Sequence, residues 1–591
     1  GTGAMTLTLS DVPADVSGTL VPDGPPVTVT LGTPGQNARL TFDGTAGRQV
    51  TLAISNVTIG SSFLGGARIS ILKPDGSELG TPITVGTSGG TIDRVTLPAT
   101  GTYTVVVDAI GSATGSATLT LHDVPTDVVA TIVPGGPTVT VTMVSPGQNA
   151  LVTFSGSAGQ RVSLEVGNVT LGSSPCCGAK LSLLDPGGAT LASILSFGTS
   201  GAFLDATTLP LAGTYTILVD PQGSGTGSVT LTLYDVPADA VATIAPSGPP
   251  VTVETTVPGQ NAAVTFAGAS GQRVSVLVSS ACCATRITLL RSNGATLAST
   301  TAGMFGGFLD TITLPTSGTY TIAVDPQGSG TGSVTLTLFD VPGEPTATIS
   351  AGGPAASVAT TVPGQNARLT FSGTAGQRVS LKVGPTCCSA MITILRPGGS
   401  ALVTATVATS GGFLDTTALP VSGTYTILVD LQGAATGAVT LTLYDVPADV
   451  TAAIAPDGSA VTVATSVPGQ NARLTFTGVA NQRVSLALTG SCCATTLSLL
   501  KPDGSALASI TTFGSGSFLD TQRLPAGGTY TIVVRDRSRS HNFHLIGQRL
   551  NRRTTVAAMG TLTWRVTLRA GRYRFVCDPH ATAMRGSFRV R

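Results

Sequence analysis

The sequence predicts an all-β protein built from five tandem antiparallel β-sandwich domains, and three observations lead to this prediction. The tripeptide Asp-Val-Pro begins at Asp11, Asp123, Asp235, Asp340 and Asp445, so near-identical units follow one another at intervals of 112 or 105 residues. Gly, Thr, Ser, Val and Ala dominate and only 10% of the residues are charged, a composition typical of strands and tight turns. Apolar and polar residues alternate with a period of two.

Residues 229–234 illustrate this alternation. Val229, Leu231 and Leu233 would share one face of a strand, and Thr230, Thr232 and Tyr234 the other. Pro-Gly and Pro-Asp-Gly sequences between such runs predict turns at the spacing of an antiparallel sandwich.

The repeats divide the chain into units joined by short linkers of the type Asp-Val-Pro-Ala-Asp. The predicted boundaries are residues 1–10 for a spare closing strand, 11–122, 123–234, 235–339, 340–444 and 445–534 for repeats one to five, and 535–591 for a C-terminal segment.

The last third of each repeat resembles a known family. Gly-Thr-Tyr-Thr-Ile-Leu-Val-Asp at residues 213–220, followed by Gly-Ser-Val-Thr-Leu-Thr-Leu at residues 227–233, is similar to the bacterial pre-peptidase C-terminal domains. This resemblance implies a jelly-roll-like, non-catalytic module on an exported protein. His122 is the only histidine in the repeats, so no His-based catalytic triad can recur in them. We therefore expect an extracellular or cell-surface bacterial protein that is not an enzyme.

The fifth repeat lacks the sequence of a closing strand, and residues 1–10 match that sequence. The first four repeats end in a segment like residues 227–235, whereas the fifth runs into unrelated sequence. Residues 1–10 repeat the missing pattern, with Met5, Leu7 and Leu9 on one face. An open sheet edge takes up a strand from another chain. We therefore predict a head-to-tail homopolymer, in which residues 1–10 of one subunit complete repeat five of the next.

Two alternatives to the homopolymer remain open. The chain could be a piece of a longer repeat array, since it begins without Met and without an export signal, which indicates processing or truncation. Residues 541–545, where Phe543 and Leu545 alternate with polar residues, could instead fold back and close repeat five.

Eight of the nine cysteines form adjacent pairs at the same position of repeats two to five. Such pairs in a secreted chain favour disulfides, either within each pair or to separate partners, and the sequence does not choose between them. Metal binding by the pairs is the weaker interpretation, because no histidine lies near them. The disulfide candidates are Cys176, Cys177, Cys282, Cys283, Cys387, Cys388, Cys492 and Cys493.

The C-terminal segment contains the ninth cysteine in a pattern typical of copper ligands. Cys577 is followed by His580 and Met584, and His541 lies upstream. One thiolate, two imidazoles and a weak thioether suit a type 1 copper site.

Residues 530–590 resemble the plastocyanin and pseudoazurin side of the cupredoxin family. This resemblance implies a partial cupredoxin-like Greek-key β-domain that holds copper with the four ligands above. Asn542 would bond the thiolate sulfur and tune the potential of the copper. His544 is the alternative first ligand, although period-two alternation places it on the opposite face from His541.

Charge is uneven along the chain. Thirteen arginines and two aspartates follow residue 534, whereas the whole chain has a net charge of +1. The basic end could therefore steer self-association or dock on an acidic cell-surface polymer. Nucleic-acid binding is not expected, because aromatic residues are scarce there. We expect an extracellular fibre or stalk with an accessory copper site. The alternatives are an electron-transfer protein with a redox partner, held on a repeat stalk, and an adhesin.

Overall fold

The computed structural model describes residues 9–60, 66–171, 178–489, 494–513, 516–536, 544–547, 550–553, 571–576 and 585–590. Within these ranges the protein consists of β-strands and connecting turns and contains no helix, so no helix there could cross a membrane. The predicted all-β, tandemly repeated character of the chain is confirmed.

Repeats one to four each form nine strands. Repeat one comprises β1 Val16–Thr19, β2 Val27–Leu31, β3 Ala38–Gly44, β4 Gln49–Ser55, β5 Ala67–Leu72, β6 Glu78–Val85, β7 Gly90–Thr96, β8 Gly101–Ala109 and β9 Gly115–Val124. Repeat two comprises β10 Val128–Thr131, β11 Val139–Met143, β12 Ala150–Gly156, β13 Arg161–Gly167, β14 Ala179–Leu184, β15 Thr190–Phe197, β16 Ala202–Thr208, β17 Gly213–Pro221 and β18 Gly227–Asp235.

Repeats three and four follow the same plan. Repeat three comprises β19 Ala240–Thr243, β20 Val251–Thr255, β21 Ala262–Gly268, β22 Arg273–Ser280, β23 Thr285–Leu290, β24 Thr296–Ala302, β25 Gly307–Thr313, β26 Gly318–Pro326 and β27 Gly332–Asp340. Repeat four comprises β28 Thr346–Thr348, β29 Ala356–Thr360, β30 Ala367–Gly373, β31 Arg378–Val383, β32 Ala390–Leu395, β33 Ala401–Val407, β34 Gly412–Ala418, β35 Gly423–Leu431 and β36 Gly437–Asp445.

Two facing sheets enclose the core of each of these repeats. In repeat one the five-stranded sheet has the order β1-β3-β8-β5-β6, and the four-stranded sheet has the order β2-β9-β4-β7. We call the four-stranded sheet the closing sheet and its second strand, β9, the closing strand. Alternate side chains of both sheets, such as Leu40, Val105, Leu52 and Leu119, are buried together. The equivalent strands have the same order in repeats two to four.

A crossover opens each repeat and makes its five-stranded sheet mixed. β1 lies in the five-stranded sheet, the chain then forms β2 in the closing sheet, and it returns to the first sheet as β3. Two reversals restore the original direction, so β1 pairs with β3 in parallel, with Val16 opposite Ala38.

Hydrogen bonds join successive repeats. A serine hydroxyl in the closing sheet donates to the carbonyl oxygen of a Pro-Gly turn in the following repeat, at 2.6 to 2.7 Å. The pairs are Ser163 with Pro258, Ser275 with Pro363, and Ser380 with Pro468. Each unit is thus bonded to its neighbour, as in a repeat stack.

Repeat five and the C-terminal segment depart from this plan. Repeat five comprises β37 Val450–Ala453, β38 Asn471–Gly478, β39 Arg483–Thr489, β40 Ala494–Leu500, β41 Ala506–Phe513, β42 Gly516–Arg523 and β43 Gly528–Asp536. The C-terminal segment contributes β44 His544–Gly547, β45 Leu550–Arg553, β46 Gly571–Val576 and β47 Arg585–Val590, which form one antiparallel sheet of order β45-β44-β46-β47.

The predicted row of five antiparallel β-sandwich domains followed by a partial cupredoxin-like Greek-key domain is wrong. The chain forms a continuous, solenoid-like stack, because each repeat opens with a parallel coil and is hydrogen-bonded to the next repeat. The cupredoxin-like resemblance begins at residue 530, but β43 is held between β38 and β40 in the sheet of repeat five. Alternation along a strand does not reveal the direction of its neighbour, so the sequence did not predict the parallel pairs.

Candidate strand-acceptor site

The closing strand holds the closing sheet together in a complete repeat. In repeat four, β36 lies between β29 and β31, with Val439 opposite Val358 and Leu443 opposite Leu381. The apolar side chains of β36 face the core and are buried, because inward positions recur at every second residue. β29 forms hydrogen bonds in this sheet only with β36.

The closing sheet of repeat five is open. Among the described residues it contains only β39 and β42, the equivalents of β4 and β7. Residues 461–465 match β29 in sequence, and the structure describes them outside any strand. Among the described residues, no strand lies beside them in the position that β36 has beside β29. A missing closing strand therefore removes two strands from the sheet.

Apolar side chains around this opening are only partly buried. Leu486 and Leu488 of β39 and Val463 pack against the core of repeat five, yet each remains partly accessible. Their counterparts in repeat four, Leu381, Val383 and Val358, are buried, with at most 6% of each side chain exposed, where β36 lies between β29 and β31. The opening thus combines an unpaired strand edge with a line of core side chains, which is the geometry that accepts an added strand.

The predicted polymer-joint residues lie at the other end of the chain. Met5 and Leu7 fall outside the described residues. Leu9 is described and is 99% exposed, whereas the side chains at its position in repeats one to four, such as Leu443, are buried. The structure therefore leaves the strand exchange untested.

The alternative in which residues 541–545 close repeat five is contradicted for the residues that the structure describes. β44 pairs with β45 and β46, with Leu545 opposite Arg552 and Phe575. Its backbone is used in the C-terminal sheet and not beside β39. Phe543 lies outside the described residues.

The structure does not describe the four residues predicted to bind copper. His541, Asn542, Cys577, His580 and Met584 lie outside the described residues, and copper binding stays a prediction. His544 begins β44, and its backbone pairs with Val576, the residue before Cys577. Within the described part of the chain, no group of three or more His, Cys, Asp or Glu side chains could hold a metal ion.

Four of the disulfide candidates are described, and their thiols are free. The Sγ atoms of Cys282 and Cys283 are 2.8 Å apart, and those of Cys387 and Cys388 are 2.9 Å apart. Burial, with help from the neighbouring thiol, raises the pKa of Cys282 and of Cys388 to about 11. A protonated thiol is a poor nucleophile and metal ligand at neutral pH. Cys176, Cys177, Cys492 and Cys493 lie outside the described residues.

Sequence reasoning missed the acceptor side of the opening. It predicted the absent closing strand but not that residues 461–465 would lose their strand as well. The absent closing strand could have indicated this loss, since an edge strand whose single neighbour is missing has no strand to pair with in the sheet.

Fold and site together define an all-β tandem-repeat protein with an open terminal sheet. No protein-family model matches the chain, and no curated protein matches it. Among solved structures, the chain is similar to a periplasmic inhibitor of g-type lysozyme from Aeromonas hydrophila, with 19% identity over 17% of this chain and 97% of the inhibitor, and a TM-score of 0.14.

Two further solved structures show similarly weak likeness. The CUB1-EGF-CUB2 domains of human MASP-1/3 match with 10% identity over 35% of this chain and 99% of that one, with a TM-score of 0.13. The BSP domain of a biofilm-associated protein matches with 11% identity over 90% and 97% of the two chains, with a TM-score of 0.10. Scores this low carry no argument about function.

Proposed function

We propose that this chain is a structural subunit of an extracellular fibre or stalk that assembles head to tail. Residues 1–10 of one copy enter the closing sheet of repeat five in the next copy. The observation that carries this proposal is the two-stranded closing sheet of repeat five, beside partly exposed core side chains, in a chain that contains a second copy of the missing strand.

The register of the added strand follows from repeat four. Residues 2–11 align without gaps on residues 436–445, so Met5 takes the place of Val439 and Leu9 that of Leu443. By the pairing of β31 with β36, Leu9 then lies opposite Leu486. Residues 461–465 gain a partner and complete a four-stranded sheet.

Hydrophobic burial and the backbone ladder would both stabilise this joint. Burying the side chains of Met5, Leu7 and Leu9 contributes roughly 4 to 9 kcal/mol, at about 1.5 to 3 kcal/mol each, before the cost of association. Backbone hydrogen bonds on both sides of the strand add affinity and set the register. The proposal therefore expects a stable filament without a further partner and assigns the chain no enzymatic role.

Electron microscopy and sedimentation velocity of two matched variants test the proposal. Met5→Thr, Leu7→Thr and Leu9→Thr together remove the inward side chains, and we expect only single rods from this variant. Thr6→Ala and Thr8→Ala change the outward face and should leave filaments like those of the unaltered chain. If the unaltered chain forms no filaments, or if the inward variant still forms them, the proposed strand exchange is wrong.

A further inference from the structure

An arginine and the linker that follows it form the first part of each internal joint. Between repeats four and five, Arg378 Nη2 lies 2.6 Å from Asp449 Oδ1, and its Nη1 donates to the carbonyl oxygen of Pro447 at 3.1 Å. The backbone N–H of Val446 donates to the carbonyl oxygen of Arg378 at 2.8 Å. The side chain and backbone of one residue thus hold the whole Asp-Val-Pro-Ala-Asp linker.

The Pro-Gly turn of the following repeat forms the second part. Ser380 Oγ donates to the carbonyl oxygen of Pro468 at 2.6 Å, and the Thr416 hydroxyl donates to that of Gly469. Ser380 is 1% exposed in this contact. We call the Arg, Ser and Thr surface of the preceding repeat the socket, and the linker with the Pro-Gly turn of the following repeat the plug.

The arginine and serine contacts recur at the two preceding joints, and the threonine contact recurs between repeats three and four, whereas Ala206 holds the threonine position in repeat two. Between repeats two and three, Arg161 pairs with Asp239 at 2.6 Å. Between repeats three and four, Arg273 pairs with Glu344 at 3.5 Å, and Thr311 Oγ1 donates to the carbonyl oxygen of Gly364 at 2.6 Å.

Among the described residues, the socket of repeat five is exposed. Arg483, Ser485 and Thr521 stand at the positions of Arg378, Ser380 and Thr416 in the sequence. All three are exposed, and among the described residues none has a partner in a following repeat. The contrast is largest at the serine, because its counterparts Ser163, Ser275 and Ser380 are each 1% exposed.

Among the described residues, the plug of repeat one is exposed. Val12 of the first linker is 46% exposed, whereas Val124, Val236, Val341 and Val446 are 4 to 6% exposed within the internal joints.

Asp15, the acidic residue of the first linker, pairs with one arginine, whereas the equivalent Asp449 pairs with two. Asp15 pairs with Arg39 of its own repeat at 2.9 Å. Asp449 pairs with Arg473 of its own repeat at 2.8 Å and also with Arg378 of the preceding repeat. In the described part of the chain, Asp15 lacks this second arginine.

We propose that the plug of repeat one docks in the socket of repeat five of a second copy of this chain, so that the joint between copies repeats the joint within a copy. This inference rests on the proposed strand exchange and extends it, since the linker that leaves the added strand leads directly into the socket. Arg483 then pairs with Asp15, and Ser485 donates to the carbonyl oxygen of Pro34. The contact is heterologous, so it extends into a filament and does not close into a dimer.

This surface differs from an ordinary exposed face, because both halves lie on one chain and match the joints that the chain makes between repeats two and three, three and four, and four and five. At three internal joints the arginine equivalent to Arg378 pairs with the acidic residue of the following linker. At the joint between repeats one and two, Arg94, from a different position, makes this pair. Arg483 and Asp15 have opposite charges, as that contact requires.

A charge exchange tests the docking. Arg483→Glu alone and Asp15→Arg alone each place like charges at the joint, and we expect assembly roughly tenfold weaker or more for each. A mixture of the two variants restores opposite charges at both kinds of joint and should form filaments of alternating copies. The double variant Arg483→Glu, Asp15→Arg should assemble by itself. Misfolding of either variant would not be rescued in the mixture.

A second pair of variants tests the apolar part of the plug. Val12→Asp places a charge where the internal joints bury valine, and it should weaken assembly as strongly as the arginine change. Val21→Asp is the matched control, because Val21 is exposed in repeat one and its counterpart Val133 stays exposed inside the molecule. Assembly of the control should equal that of the unaltered chain.

The outcomes separate this inference from the proposed function. If Arg483→Glu and Val12→Asp assemble as well as the unaltered chain, strand exchange stands and the plug and socket do not meet. If the unaltered chain remains monomeric, both proposals fail.

Discussion

At the scale of single residues, acidic side chains face one another where repeats meet. Asp430 of β35 is nearly buried, and burial raises the pKa of its carboxyl. The carboxylate of Asp310 in the preceding repeat raises it further, while Gln432 Nε2, at 3.1 Å from Asp430 Oδ2, works in the opposite direction. Asp220 and Asp325 show the same raised pKa, caused first by burial and then by an aspartate of the preceding repeat.

This arrangement predicts that Asp430→Asn stabilises repeat four at neutral pH. A raised folded-state pKa means that the stability contributed by this group is present below the unfolded value of 3.8 and is lost as the pH rises through the folded value. The variant should therefore melt at a higher temperature than the unaltered chain at pH 7 and at the same temperature at pH 3, as measured by calorimetry.

Asp503→Asn is the control with the opposite sign. Asp503 is exposed, and hydrogen bonds from Ser505 lower its pKa. Its contribution to stability is present above pH 3.8 and lost as the pH falls, so the asparagine variant should not stabilise the protein at pH 7. Equal effects of the two substitutions would contradict the role of burial at Asp430.

At the scale of structural elements, the Pro-Gly turn is the part of a repeat that contacts its predecessor most closely. Gly469 has a φ of 85°, and a Cβ placed on it would lie 2.5 Å from Thr416 Oγ1 and 2.8 Å from Ser380 Cβ. Gly376 has a φ of 83°, but no atom lies within 4 Å of a Cβ placed there. The two positions share backbone strain and differ only in packing.

Alanine substitutions at these two glycines should therefore differ in their effect on stability. Gly376→Ala should cost about 1 to 2 kcal/mol, the penalty for a left-handed residue with a side chain. Gly469→Ala should cost at least 1 kcal/mol more, because repeat five must also move away from repeat four. Chemical denaturation of both variants measures the difference, and equal costs would show that the turn yields without strain.

The closing sheet shows how one element depends on another. Residues 461–465 have the same alternation as β29, yet only β29 forms a strand, because β36 is beside it. A strand exists only through its hydrogen-bonded neighbour, whereas local preference acts on each segment alone.

At the scale of the whole molecule, the repeats form a directional stack with different ends. Repeat five presents an open sheet and an exposed socket, and repeat one presents an exposed linker preceded by a strand sequence. The proposed head-to-tail filament requires such different surfaces, since each added copy would leave the same two surfaces exposed.

A cross-link between copies checks the register of this filament. Thr8 corresponds to Thr442, which lies opposite Lys382, and Ala487 holds the position of Lys382 in repeat five. Thr8→Cys with Ala487→Cys should therefore form a disulfide between copies, because directly opposite residues have Cα atoms about 4.5 to 5.5 Å apart.

The control for this cross-link shifts one partner by two residues on the same face. Thr8→Cys with Thr489→Cys should cross-link far less, since diagonal neighbours are about 7 to 8 Å apart. Mass spectrometry of the oxidised filaments identifies the linked peptides. Preferential linkage of the shifted pair would show a different register.

The sequence by itself determined the strands, the repeat, and the absence of a closing strand from the described residues of repeat five. Period-two alternation and turn residues are local, and Tyr215, Tyr320 and Tyr425 recur at one position of their repeats, where the structure buries them. The match of residues 1–10 to the closing-strand sequence was readable because near-identical repeats allow one unit to be compared with the next.

Only the tertiary structure decided which strands are neighbours. The parallel pair that opens each repeat, the placement of β43 in repeat five, and the loss of a strand at residues 461–465 all depend on partners distant in the chain. The contacts of Arg378 and Ser380 with the following repeat likewise join residues 69 to 88 positions apart. A strand's own sequence specifies which of its faces is buried, but its partner and direction follow from the packing of the whole chain.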